Sequence, residues 1–206
     1  MTDLFDRQYK KYDEWYEKNR FAYLSELEAI KKVLPKKGRG LEIGVGTGRF
    51  AAPLGIEYGI DPSGKMLGIA RSRKIRVKKG SGEKLPFPEA YFDYAAVIFT
   101  LCFVRNPQKV LEESYRVLKH GGKLILGIID RKSFLGRHYM KQRKLFYKKA
   151  RFFPLKEIMD MLKTAGFRKI SCYQALFDFP ENINYIEMSE KGYGRGGFTV
   201  ISSFRI

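Results

Sequence analysis

Leu41-Glu42-Ile43-Gly44-Val45-Gly46-Thr47-Gly48-Arg49-Phe50 is the stretch on which the reading of this chain turns. A short apolar strand, 40–43, runs into three alternating glycines, and a carboxylate stands two positions before the first. Thirteen residues beyond Gly48 a second apolar segment, 56–60, ends at Asp61. A doubly wound α/β domain builds a nucleoside pocket in this way, at the carboxyl ends of its first two strands. The glycines permit a tight turn and let the backbone approach a ligand with no Cβ in between. The acid at the end of the second strand accepts hydrogen bonds from ribose hydroxyls.

Spacing separates two cofactor classes. Nicotinamide and flavin enzymes use G-x-G-x-x-G/A. Here Arg49 fills the third slot and Gly48 comes one position early, so the order is G-x-G-x-G with Glu42 in front. A short helix is expected over 49–53, directly after the loop. Pro62-Ser63 then opens a helix through Met66, Leu67 and Ala70, with Ser63 as its cap. A brief strand covers 75–78, and the following Gly80-Ser81-Gly82-Glu83-Lys84-Leu85-Pro86-Phe87 holds too much Gly and Pro for regular structure. The apolar run 95–99 suits a strand covered on both faces. A helix over 107–118 ends at His120-Gly121-Gly122, and a fifth strand covers 123–129. Such alternation predicts parallel strands with right-handed crossovers.

Both flanks differ from this core. Residues 4–34 read as helix: Phe21, Leu24, Leu27, Ile30 and Leu34 recur at three- and four-residue steps, and Pro35 ends the run. Phe5, Tyr9, Tyr12, Trp15 and Tyr16 precede that stripe and suit both packing on the core and covering a ligand. After strand five come a basic segment, 131–151, and a helix over 155–165 closed by Gly166. Two strands follow, near 167–175 and 197–204, able to pair antiparallel at the sheet edge. The expected fold is α/β and Rossmann-like: a doubly wound seven-stranded sheet, parallel with one antiparallel edge strand, helices on both faces and an N-terminal helical lid.

The 206 residues suit a single domain with a core that needs no disulfides. Two cysteines, Cys102 and Cys172, form no metal or disulfide spacing, and two histidines, His120 and His138, are too scattered for a metal site. The opening Met1–Arg7 lacks the apolar core of a signal peptide, and the longest apolar run, 95–104, is about half a membrane span. A reducing cytoplasm is the expected location. The net charge is +18, from 40 Lys+Arg against 22 Asp+Glu. Only eight Asn and Gln occur, which suits a thermophile surface. Yet the charge is clustered: ten Lys/Arg and no acid between Arg131 and Lys156, and a second group at Arg71, Arg73, Lys74, Arg76, Lys78 and Lys79. Such clusters also suit an anionic partner.

Three further motifs stand in order: Gly80-Ser81-Gly82-Glu83-x-Leu85-Pro86-Phe87, Phe92-Asp93, and Arg116-Val117-Leu118-Lys119-x-Gly121-Gly122. With the glycine loop and Asp61 they resemble the methyltransferase-11 branch of the class I S-adenosylmethionine (SAM)-dependent methyltransferases, which includes the ubiquinone/menaquinone C-methyltransferases. The resemblance covers roughly residues 38–130. It implies that SAM is the cofactor and S-adenosylhomocysteine the product, with Glu42, Gly44, Gly46 and Gly48 against the methionyl part. Asp61 would hold the ribose, and Pro62 and Met66 would wall the adenine. Ser81 replaces the family's usual Asp at the adenine amino group, and Gly82 replaces its usual Ala, with Glu83 beside them. Phe99 and Thr100 would lie beside the sulfonium, while Tyr12 and Trp15 match aromatic positions of the family's lid. The chain then divides into a lid (1–37), a SAM-binding core (38–130) and an acceptor-side insertion with the C-terminal helix and edge strands (131–206).

One departure bears on the substrate. Much of the family has a His pair after strand four, where this chain has Leu101-Cys102-Phe103, so that base is missing and the pocket mouth is apolar. Methyl transfer is an in-line displacement whose reactivity the cofactor supplies, and the protein's main task is alignment. If the acceptor needs a base, Asp130, Tyr12 and His138 are the candidates. The acceptor pocket is expected to draw on the N-terminal aromatics, Phe103, Phe134, Tyr139, Phe152-Phe153 and Tyr193, and to take a small, partly apolar molecule. Two other readings stand beside this one: a tRNA or rRNA methyltransferase using the 71–79 and 131–156 clusters, and a non-catalytic SAM-binding module.

Overall fold

The computed structural model describes residues 2–206. Its centre is a sheet of eight strands in the order β3-β2-β1-β4-β5-β8-β6-β7. The first five are β1 (Gly40–Ile43), β2 (Tyr58–Asp61), β3 (Arg76–Lys79), β4 (Phe92–Ile98) and β5 (Leu118–Ile129). All of these pair in parallel. The order reverses between β1 and β4, so the carboxyl end of β1 borders the crevice where open α/β sheets bind ligands.

The far half departs from the expected count. Strand β8 (Phe198–Arg205) lies between β5 and β6 (Phe167–Ala175), antiparallel to both. A two-residue strand, β7 (Glu190–Lys191), pairs antiparallel with β6 at the outer edge and makes the sheet eight-stranded, not seven. Two residues with no apolar period carry no strand signal, and only the backbone pairing Tyr173↔Lys191 and Gln174↔Glu190 defines them.

Burial alternates along the central strands, as a sheet covered on both faces requires. Tyr94, Ala96 and Ile98 of β4 enter one core with Ile125 of β5. Ala95 and Val97 enter the other, with Leu124, Leu126 and Ile128. The first face is covered by α2 (Arg20–Lys31) and α4 (Gly64–Ser72), through Leu27, Ile30, Leu67 and Ala70. The second is covered by α5 (Pro107–Val117) and α8 (Leu155–Thr164), through Val110, Leu111, Ile158 and Leu162. The four-residue α3 (Ala51–Leu54) follows the glycine loop.

Two local readings are corrected. The expected single N-terminal helix is two, α1 (Thr2–Lys18) and α2, broken at Asn19, whose side chain donates back to the Trp15 carbonyl at 3.0 Å. Such a side chain competes with the helical ladder and favours a cap. The inward face of α2 is also turned relative to the expected stripe. Ala22, Glu26, Ala29 and Ile30 face inward, while Phe21 is 41% exposed. The basic segment after β5 holds two short helices, α6 (Phe134–Lys141) and α7 (Leu145–Lys149).

Candidate active site

The glycine loop is held from three sides. Gly44 has φ +75°, in the left-handed region, and a Cβ there would run into the Thr100 side chain. Thr100 hydroxyl in turn donates to the carbonyl of Ile98 at 3.0 Å and lies 3.4 Å from that of Gly44. Asp61 Oδ2 accepts the Gly46 N–H at 3.0 Å, and Oδ1 accepts that of Ser63 at 2.8 Å. Burial raises the Asp61 carboxyl above its ordinary pKa, partly offset by those two backbone bonds. The carboxylate is thereby fixed at the end of β2, with one partner on each oxygen and capacity for more.

Glu42 lies beneath this loop, almost fully buried, and its Oε2 has no hydrogen-bond partner among the described residues. Burial pushes its carboxyl well above the usual range. A buried carboxylate oxygen left unsatisfied at the base of a glycine cradle is a place for a ligand's donors. The loop, Glu42 and Asp61 thus fit an adenosyl cofactor with an amino acid tail.

Helix α1 lies against this edge of the sheet. Asp13 accepts from Thr47 Oγ1 at 2.7 Å and from Arg49 Nε at 2.8 Å, and Arg73 NH2 donates to it at 2.9 Å. Burial opposes the Asp13 charge, but the bonds from Arg49, Arg73 and Thr47 outweigh it and hold this carboxyl far below the ordinary range. Nearer the helix start, Asp6 accepts from Ser63 Oγ at 2.5 Å, the residue that caps α4 by accepting the Met66 N–H. Two acids of one helix therefore tie it to the loop after β1 and to the turn after β2.

A cavity of about 1150 Å³ opens where β4 ends. Phe99, at φ +52°, and Thr100 line it from the sheet, and Tyr12, Trp15 and Tyr16 line it from α1. Phe99 packs its ring on Phe50 and Phe198, with centroids 5.8 and 5.1 Å away. A non-glycine residue in that backbone region costs about 1–3 kcal/mol, and such strain gathers at functional sites. Tyr16 hydroxyl donates to Tyr12 hydroxyl at 2.9 Å, and burial raises both phenols above their ordinary pKa. Tyr12 also stands 3.7 Å from where a Gly46 Cβ would lie, so it bridges loop and cavity.

Of the cofactor candidates, Tyr12, Trp15, Phe99 and Thr100 line the cavity, while Glu42, the glycines and Asp61 stand beside it on the strand ends. Met66 is buried in α4, Pro62 is exposed, and Ser81 is exposed with its Oγ accepting the Glu83 N–H at 3.2 Å. Gly82 packs by Ile43, where a Cβ would come within 2.7 Å of Cγ2. Glu83 Oε1 accepts the Asn106 N–H at 2.7 Å and so anchors the start of α5.

Among the base candidates, His138 lines the cavity from α6, with a ring nitrogen 2.9 Å from Gln142 Nε2. Asp130 is buried outside the cavity lining, and its Oδ1 accepts the N–H groups of Lys132 and Leu155 at 2.9 and 3.2 Å. Cys102 lines the cavity, but burial pushes its thiol up to about 12, which keeps it protonated. Phe103, Tyr139, Phe152 and Phe153 take the expected wall positions; Phe134 instead packs on Phe179, and Tyr193 is 58% exposed. Sequence reasoning passed over Glu26 and Phe146, which also line the cavity. Glu26 had a signal, as an acid at the i+4 and i−4 positions of Ala22 and Ile30.

Residues 41–126 match the methyltransferase domain family. The solved SAM-dependent methyltransferase and possible histamine N-methyltransferase of Thermotoga maritima is 50% identical and superimposes with a TM-score of 0.97, over 99% of each chain. The chain belongs to the class I SAM-dependent methyltransferases. A relative in Methanocaldococcus jannaschii, itself uncharacterized, is 48% identical to this methyltransferase over 99% of its chain and 100% of the relative's. The demethylmenaquinone methyltransferase of Oceanobacillus iheyensis is 29% identical over 77% of this chain and 70% of that one. The protein is therefore an enzyme whose cofactor is SAM. No helix among the described residues is long and apolar enough to cross a membrane.

Proposed function

We propose that this methyltransferase acts on a small-molecule acceptor held in the aromatic cavity at the end of β4. The observation that carries this reading is the shared wall: Phe99 and Thr100 line the cavity, and Thr100 packs against Gly44 of the cofactor loop. When bound, SAM supplies an electrophilic methyl group and is released as S-adenosylhomocysteine. Asp61 would hold the ribose diol, with Pro62, Met66, Ser81, Gly82 and Glu83 around the adenine. Glu42 and the glycine loop would take the amino acid end. Tyr12 and Trp15, brought down by the Asp6 and Asp13 contacts of α1, exclude water from the reacting atoms.

In this division of labour residues 1–37 are the lid, 38–130 hold the cofactor and 131–206 complete the acceptor wall. His138 is the cavity-facing candidate base for an acceptor that must lose a proton, whereas the Tyr12 phenol is held protonated and serves as a hydrogen-bond donor.

A second reading, tRNA or rRNA as acceptor, is favoured by the exposed Arg137, Lys141, Arg143, Lys144, Lys148 and Lys149 on and around α6 and α7. One screen separates the two: S-adenosylhomocysteine release from SAM against amines, thiols, phenols, quinol precursors and bulk tRNA. Release with a small acceptor and none with tRNA is expected. Turnover of tRNA alone contradicts the small-molecule reading, and SAM binding without turnover across the whole panel favours a non-catalytic module.

A further inference from the structure

The most deeply buried acid lining the acceptor cavity has no partner. Glu26 sits on the inward face of α2, between Ala22 and Ile30, and is 1% exposed. Apolar residues are the rule at such a position, because burying a carboxylate without a partner is costly. Glu26 forms no salt bridge among the described residues, and its Oε2 makes no hydrogen bond there. It nevertheless lines the cavity, together with the aromatic residues Tyr12, Tyr16 and Tyr139. All three phenols are raised mainly by burial, and a charge on Glu26 would raise them further, so they stand near it. Burial alone lifts the Glu26 carboxyl well above the usual range, with no neighbouring cation to offset it.

The cations that line the same cavity, Lys11, Lys18 and Lys144, are exposed, so the protein places its own positive charge at the rim. An acid at depth, walled by electron-rich rings, is how proteins recognise an ammonium group: the carboxylate takes its N–H donors and the ring faces attract its charge. Alanine or leucine would fill this position at lower cost to folding, so an acid here points to a ligand that repays its burial.

We infer that Glu26 is a specificity-determining carboxylate that receives the positively charged amine of the methyl acceptor between Tyr12, Tyr16 and Tyr139. The inference rests on the small-molecule reading of the cavity. Glu26 here orients one end of the acceptor and excludes neutral molecules of the same shape; the methyl transfer itself proceeds at the end of β4.

The test is calorimetry on the full chain saturated with S-adenosylhomocysteine, using three matched pairs: 2-phenylethylamine and 2-phenylethanol, cyclohexylmethylamine and cyclohexylmethanol, hexylamine and hexanol. Wild type is expected to bind the amine of at least one pair tenfold or more tighter than its alcohol. In Glu26→Gln, which keeps the shape, that preference falls below about threefold, while S-adenosylhomocysteine affinity is unchanged. Amines bound no better than alcohols by wild type in all three pairs overturn the inference, and this arm needs no variant. Preference retained in Glu26→Gln overturns it equally. Failure of S-adenosylhomocysteine itself to bind would instead remove the cofactor site, and this inference with it, so the two failures are told apart in one series.

Discussion

Asp61 carries the cofactor claim at the level of single residues. Its two oxygens are fixed by the Gly46 and Ser63 backbone, and burial disfavours its charge. Asp61→Ala is expected to weaken SAM binding by about 1–3 kcal/mol, the scale of a lost buried hydrogen-bond partner. Calorimetry that returned wild-type affinity would show that the ribose is gripped elsewhere. Much at this scale was legible in sequence, because glycine and acid spacing reflects backbone needs that few other residues meet. The placement of Glu42, Gly44 and Asp61 at the ends of β1 and β2 follows from that spacing. Glu26 was missed: its spacing from Ala22 and Ile30 marks an inward face, but the cavity it lines is built by α1, α6 and β4 together.

Helix α1 is the element that walls the cavity beside the glycine loop. Asp13 joins it to Thr47, Arg49 and Arg73, with side chains that are largely shielded: Asp13 keeps 21% of its exposure, Arg49 13% and Arg73 26%. Replacing Asp13 by Asn leaves two arginines short of an acceptor, at a cost of about 1–3 kcal/mol at neutral pH. The folded-state pKa lies below the ordinary carboxylate value, so this stabilisation is complete above that value and is lost as pH falls through the folded one. The gap between wild type and Asp13→Asn in urea unfolding should therefore close as pH drops below about 4. A gap that persisted undiminished in acid would mean that the charge of Asp13 is not what ties α1 to the glycine loop.

Some element boundaries were also readable: β1 falls on the expected 40–43 and α8 within one residue of its expected end, but β5 begins at Leu118, five residues before the expected 123. What escaped was set by tertiary contacts. The break at Asn19 lets α1 cross the cofactor edge while α2 packs on the sheet, and β7 exists only because β6 offers it an edge.

Across the whole molecule, the topology places the cofactor loop at the switch point between β1 and β4, and the second half of the chain closes the far side of the cavity. The +18 charge is not uniform in role. Arg49 and Arg73 pair with Asp13 of α1, and Arg76 pairs with Glu57 at 2.9 Å, while the lysines and arginines around α6 and α7 stay exposed. Arg49 and Arg73 thus serve structure while most of the clustered basic residues face solvent, a difference that sequence clustering alone does not separate.

The most direct test of the account is a crystal structure of the protein grown with S-adenosylhomocysteine. It should show the ribose diol on Asp61, the homocysteine end along Gly44–Gly48, and the sulfur facing the cavity beside Phe99 and Thr100. A ligand bound away from the ends of β1 and β2, or a sulfur turned from that cavity, would contradict it.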